Sequence, residues 1–128
     1  MKSKNILCDF VEKDAPFSHI VESKNIVYLS GIIAADDIVS GKTTCLSIGA
    51  ETSVCLSLIK KMLASVSLNM SNITTVLVHM TNLSEFEEMN YVYKSFFEKG
   101  SEPARTCVEV SALLKGSRIE FTCQAQRP

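Results

Sequence analysis

Across residues 50–68 the apolar side chains Val54, Cys55, Leu58, Ile59, Met62, Leu63 and Val66 recur at three- and four-residue intervals. That spacing predicts an amphipathic helix with one buried stripe, leaving Lys60 and Lys61 on the opposite face. Asn69 is its expected stop. Elsewhere the period falls to two. Residues 25–31 read as a strand entering a glycine turn, and Ile20-Val21 before it predicts a hairpin partner. Residues 73–82 form another strand, with Thr74, Val76, Val78 and Met80 on one side and Leu77, His79 and Thr81 on the other. Ser84 and Glu87 have the spacing of a capping box. It opens a second helix that turns Phe86, Met89, Val92, Tyr93, Phe96 and Phe97 to a core, with Gly100 as its end. Strands over 105–110 and 118–126 complete the chain.

The predicted order is β-β-α-β-α-β-β, an α+β fold with two helices on one face of a mixed sheet of about six strands. Val, Ile and Phe occupy both parities of several strands, so the other face should also be buried. The polar segment 35–44 holds Asp36, Asp37, Ser40 and Gly41 and reads as a solvated turn. No further ligands follow the paired aspartates at a fixed spacing, so no cation loop is expected there.

A chain of 128 residues is one domain, residues 1–128, with enough length for a real core. Lys and Arg total 13 against 14 Asp and Glu, a net charge of −1, and the longest basic cluster is Lys60-Lys61. Nucleic-acid binding draws most of its affinity from phosphate neutralisation, so without a basic stripe no nucleic-acid partner is expected. Five cysteines without C-x-x-C spacing and two histidines, His19 and His79, point to reduced thiols and no metal. The first residues are unlike a secretory signal, and no apolar run is long enough to span a membrane. A cytoplasmic location is the expectation.

The candidate chemistry lies in Pro103-Ala104-Arg105-Thr106-Cys107-Val108-Glu109-Val110. Period-two alternation places Arg105 and Cys107 on one face. An arginine in an apolar sheet is costly unless an anion meets it, and its planar fork suits a carboxylate or phosphate. The plainer alternative is a surface arginine paired with a nearby Asp or Glu. If the last two strands pair antiparallel with Cys107 opposite Glu120, then Arg105, Cys107 and Glu120 share a face. A cation for a substrate anion would then stand near a carboxylate for a water, although a slip of one residue would turn Glu120 away.

That run and Glu120, together with Ala15-Pro16-Phe17-Ser18, Tyr28-Leu29-Ser30-Gly31, Met89-Asn90-Tyr91-Val92-Tyr93 and Ser111-Ala112-Leu113-Leu114-Lys115-Gly116, resemble the RidA/YjgF family in order and approximate spacing. The family comprises 2-iminobutanoate/2-iminopropanoate deaminases and is often labelled endoribonuclease L-PSP. The resemblance implies a RidA-like, chorismate-mutase-like fold and a homotrimer with ligand clefts between subunits. It implies hydrolysis of reactive 2-imino acids to 2-keto acids and ammonia without a cofactor. In that reading Arg105 binds the substrate carboxylate, Glu120 positions the water, and backbone groups near Cys107 and Gly31 hold the rest of the ligand. Ser30, Phe17, Asn90 and Phe97 surround the cleft. Cys107 would act through its backbone, since no histidine is near it in sequence. Two departures stand out: Phe17 replaces a common tyrosine, and Ile32 a common glutamine. Loss of the tyrosine hydroxyl favours an alternative, a metabolite-binding regulator without catalysis. An endoribonuclease or translation inhibitor fits less well, given the acidic balance and the lack of a histidine pair.

Overall fold

The computed structural model describes residues 3–12, 16–39 and 46–128; Ala15, Ser40, Gly41 and Cys45 lie outside them. Its elements in chain order are β1 (Lys4–Ile6), β2 (Ile20–Ser23), β3 (Ile26–Leu29), α1 (Ile48–Ser65), β4 (Ile73–Met80), α2 (Phe86–Lys94), β5 (Ala104–Glu109) and β6 (Ile119–Gln126). One six-stranded sheet runs in the order β1-β2-β3-β6-β4-β5, and both helices pack on one face. The β4–β5 pair is parallel and the others are antiparallel. The three-residue β1 is additional to the predicted order.

Helix α1 starts at Ile48 because the Ser47 side chain accepts the N–H of Ala50. It buries Cys55, Leu56, Ile59, Met62 and Leu63 against the sheet, each such side chain contributing roughly 1.5–3 kcal/mol. It ends earlier than Asn69. Ser67 takes φ 63°, donates to the Ala64 carbonyl, and lets Leu68 N–H reach the Leu63 carbonyl. Those two bonds satisfy carbonyls that the last turn would otherwise leave open. Asn69 instead caps the short 3-10 turn that leads into β4, accepting from Ser71 N–H.

The start of α2 also differs from the predicted capping box. Asn82 accepts from both the N–H and the hydroxyl of Ser84, so it caps a 3-10 turn over Leu83–Glu85 that runs into the helix. The Ser84 oxygen, itself a donor there, caps nothing. The helix stops at Lys94, well before Gly100. Phe96 and Phe97 lie beyond its end but still pack on the core.

Within β4 a bulge between Ile73 and Thr75 turns Thr74 outwards, leaving Ile73, Val76, Val78 and Met80 buried. The larger correction concerns the last two strands, which do not pair with each other. β4 lies between them: Val78 stands beside Cys107 on one side and Phe121 on the other, whereas His79 stands beside Val108 and Glu120. Residues aligned across strands share a face. Arg105 and Cys107 therefore lie on the helix-covered face and Glu120 on the opposite one.

That opposite face carries Tyr28, Leu77 and Val108, each more than a third exposed, among Thr75, Thr106, Thr122 and Gln124. In a single chain it is uncovered. Among the described residues no helix is long and apolar enough to cross a membrane.

Candidate functional site

Arg105 projects from the edge strand β5 towards α2. Its Nη1 donates to Asn90 Oδ1 at 2.7 Å, and its guanidinium carbon lies 4.6 Å from the Tyr93 ring centre and 5.5 Å from that of Phe86. Phe86, Asn90 and Tyr93 recur at helical spacing, so one face of α2 holds the fork by a hydrogen bond and two aromatic faces. No carboxylate pairs with Arg105 among the described residues. The surface ion pair considered from the sequence is thus replaced by a neutral cradle, which leaves donors of the fork available to an anion. A recess of about 380 Å³ adjoins it, lined by Asn90, Tyr93, Lys94, Glu102, Pro103 and Arg105.

Tyr93 was legible only as a core residue. Its ring packs 4.9 Å from Phe97 and 6.1 Å from Phe121, so Phe97 supports the arginine platform from behind. Burial pushes the Tyr93 hydroxyl up to about 12, with Arg105 pulling the other way. Its role could have been read from the aromatic residues four before and three after Asn90 on one helical face. Cys107 lies on the same side of the sheet. Its thiol is 3.6 Å from Met80 Sδ, and burial raises its pKa, so it is a neutral, half-buried group. Cys8, Cys55 and Cys123 are free as well.

Glu120 belongs to a second cluster. The chain after β3 runs beside β6, where Ile32 and Phe121 exchange backbone hydrogen bonds of 2.8 and 3.0 Å. This brings Gly31 so close that a Cβ there would lie 2.9 Å from Glu120 Cδ and 3.0 Å from Oε2. Glycine leaves the carboxylate the space that a side chain would take, so any Cβ here would push Glu120 aside. Ser30 is held by two bonds: its N–H donates to the His19 carbonyl and its hydroxyl to the Ser18 carbonyl. Phe17, more than half exposed, meets the His19 ring edge-on. Phe17, Ser30, Gly31, Ile33, Asp36, Leu114 and Glu120 enclose a recess of about 290 Å³.

Asp36 is not the solvated turn residue expected from the sequence. It is half-buried, its Oδ2 accepts from Ile33 N–H at 3.0 Å, and burial raises its pKa. His19 is fully buried. Its Nδ1 accepts from Cys8 N–H and its Nε2 lies 2.8 Å from the Glu12 carbonyl, a pattern that places the proton on Nε2. His79 Nδ1 comes to 3.4 Å from Glu120 Oε1.

The fold therefore gathers Arg105, Asn90, Phe97 and Cys107 on one side of the sheet and Glu120, Gly31, Ser30 and Phe17 on the other. Each cluster is a candidate half-site: one offers a cation for an anion, the other a carboxylate beside exposed backbone. Two such clusters on opposite faces of one α+β sheet, with two helices on one face, define the class of protein.

Comparison with known proteins gives that class its family. The sequence profile described as "Endoribonuclease L-PSP" matches residues 10–127. A RutC family protein of Buchnera aphidicola subsp. Baizongia pistaciae is 35% identical over 114 residues, 88% of this chain and 86% of that protein. The Homo sapiens protein named 2-iminobutanoate/2-iminopropanoate deaminase is 31% identical over 110 residues, 86% of this chain and 79% of that one. The crystal structure of E. coli TdcF with bound serine superposes with a TM-score of 0.87 at 26% identity, covering 98% of this chain and all of that one, 100%. The chain belongs to this family, the RidA/YjgF proteins.

Proposed function

We propose that the protein hydrolyses reactive 2-imino acids, such as 2-iminopropanoate and 2-iminobutanoate, in clefts between the subunits of a homotrimer. The observation that carries this reading is the placement of the half-sites. Arg105 is held flat by Asn90 and Tyr93 with no carboxylate partner among the described residues. Glu120 stands beside Gly31 on the other face of the sheet. In the proposed trimer the Arg105 of one chain, carried on the edge strand β5, meets the Glu120 of a neighbouring copy. Human and mouse relatives named as imine deaminases support the same reaction class, and the serine held by the E. coli protein is an amino acid with a carboxylate for an arginine to meet.

The substrate carboxylate pairs with the Arg105 fork, which aligns the imine carbon. That carbon is electrophilic once the imine is protonated, so orientation and one base are sufficient. Glu120 takes a proton from water as the C–O bond forms, giving a carbinolamine. It returns the proton to the nitrogen. As the C–N bond breaks, the carbinolamine hydroxyl gives its proton to the Glu120 carboxylate. Ammonia leaves a 2-keto acid, and Glu120 passes that proton to solvent. Water supplies the oxygen and no redox step occurs. Exposed backbone at Gly31 and near Cys107 is suited to hold the rest of the ligand.

A second reading, metabolite binding without turnover, is favoured by Phe17, which lines the recess but brings no hydroxyl. RNA cleavage by a histidine pair finds no support: both His19 nitrogens are engaged inside the fold. The deciding experiment generates the imine in situ from an amino acid with an amino-acid oxidase and follows its decay. Faster decay with the protein is expected; binding of a 2-keto acid with unchanged decay would favour the second reading.

A further inference from the structure

Glu120 has one close neighbour that the reaction as written does not use. His79 on β4 is its direct cross-strand partner in the antiparallel β4–β6 pair, a relation that brings side chains into contact. Its Nδ1 is shielded from solvent and 3.4 Å from Glu120 Oε1, yet it has no hydrogen-bond partner because the approach falls outside hydrogen-bond geometry. A buried ring nitrogen without a partner is costly, and a small turn of the imidazole would satisfy it on that oxygen. The other carboxylate oxygen, Oε2, faces Gly31 and the recess. The two oxygens are thus differentiated, one towards the imidazole and one towards the cleft.

We infer that His79 is a positioning residue for Glu120, holding Oε1 so that Oε2 meets the water. This rests on the imine-hydrolase reading of the site. With Nδ1 protonated and Nε2 bare, the neutral ring donates to Oε1 and keeps the carboxylate aimed. The surroundings leave the pair largely to itself. On β5 the facing residue is Val108, and Thr106 and Val110 share its parity. Arg118 on the β6 side is engaged with Glu51 and Glu85. Asp36 is the other carboxylate lining the recess, and Lys115 acts on it.

The test measures kcat and KM for imine hydrolysis at one fixed pH. His79→Leu should lower kcat about tenfold with KM within about twofold. His79→Asn places an amide nitrogen near the position of Nδ1 and should recover most of the lost kcat. A His79→Leu enzyme with wild-type kcat, or a His79→Asn enzyme no faster than His79→Leu, overturns the inference. A second arm needs no activity: nitrogen NMR of the His79 ring, which reads its tautomer, in the wild type and in Glu120→Ala. The wild type should favour the ring protonated on Nδ1, and removing the carboxylate should abolish that preference; the same tautomer in both proteins overturns the inference. If the wild type destroys no imine but the tautomer still depends on Glu120, the hydrolase reading fails while the His79–Glu120 contact stands.

Discussion

Arg105 owes its orientation to neutral partners, and that makes its contribution separable from simple charge. Arg105→Lys keeps the cation but loses the fork that Asn90 and Tyr93 hold. Binding of a 2-keto acid, measured calorimetrically, should weaken by roughly 1–3 kcal/mol. Glu120→Gln keeps shape and removes the base, so turnover should fall more than affinity. Cys107→Ser should be tolerated far better than either, because the thiol faces Met80; loss of activity in Cys107→Ser with Arg105→Lys intact would contradict the mechanism. Gly31→Ala supplies a test from the other half-site. Its Cβ would lie 2.9 Å from Glu120 Cδ, so the flexible carboxylate must move. Activity should drop while the melting temperature shifts little. At this scale the sequence picked out Arg105, Cys107, Glu120 and Gly31 through residue type and family resemblance. It did not single out Tyr93, Phe86 or Asp36, whose roles depend on which neighbour each meets after folding.

Among the elements, period and composition identified both helices and five of the strands, while their ends moved. Ser67 and Asn82 took the stop and the start because local hydrogen bonds decide among several competent residues. The end of β6 is tied to β2 by Arg127, which donates Nε and Nη2 to the two Glu22 oxygens at 2.7 and 2.9 Å and Nη2 to the Val66 carbonyl. The hydrogen bond from Arg127 lowers the Glu22 pKa, helped by the charges of Arg127 and Lys4. A depressed carboxylate pKa contributes stability that is complete above the unfolded value, about 4.3 for glutamate, and is lost as pH falls through the lower folded value. Urea unfolding of the wild type and Glu22→Gln should therefore differ at neutral pH and converge on acidification through that window. A difference that widens below pH 4 or so would refute the assignment.

For the whole molecule, the uncovered sheet face is the feature that asks for a partner. Light scattering at micromolar concentration should give the mass of a trimer, with a large and largely obligate interface. Leu77 and Val108 stand on that face, so Leu77→Lys combined with Val108→Lys should yield monomers. Those monomers should lose imine hydrolysis with Arg105 and Glu120 both intact, since each half-site then lacks its complement. A fully active monomer would remove the inter-subunit cleft from the mechanism.

The sequence by itself determined the class of fold, the helical core stripes and the period-two faces within each strand, because these follow from side-chain spacing along a single element. It also carried a clue to strand position. In β6 the alternate residues Ile119, Phe121, Cys123 and Ala125 are all apolar and all fully buried, a row suited to the sheet interior. In β5 the corresponding row carries Arg105, Cys107 and Glu109, which suits an edge. What tertiary structure alone decided was which strands pair and hence which faces agree. Nearness in sequence made β5 and β6 natural partners, but the crossover through α2 lays β5 parallel to β4, and β6 enters between β3 and β4. Periodicity fixes a face only relative to its own strand. The sign between strands is set by the packing of the whole sheet against its helices, and that packing sends Arg105 and Glu120 to opposite sides.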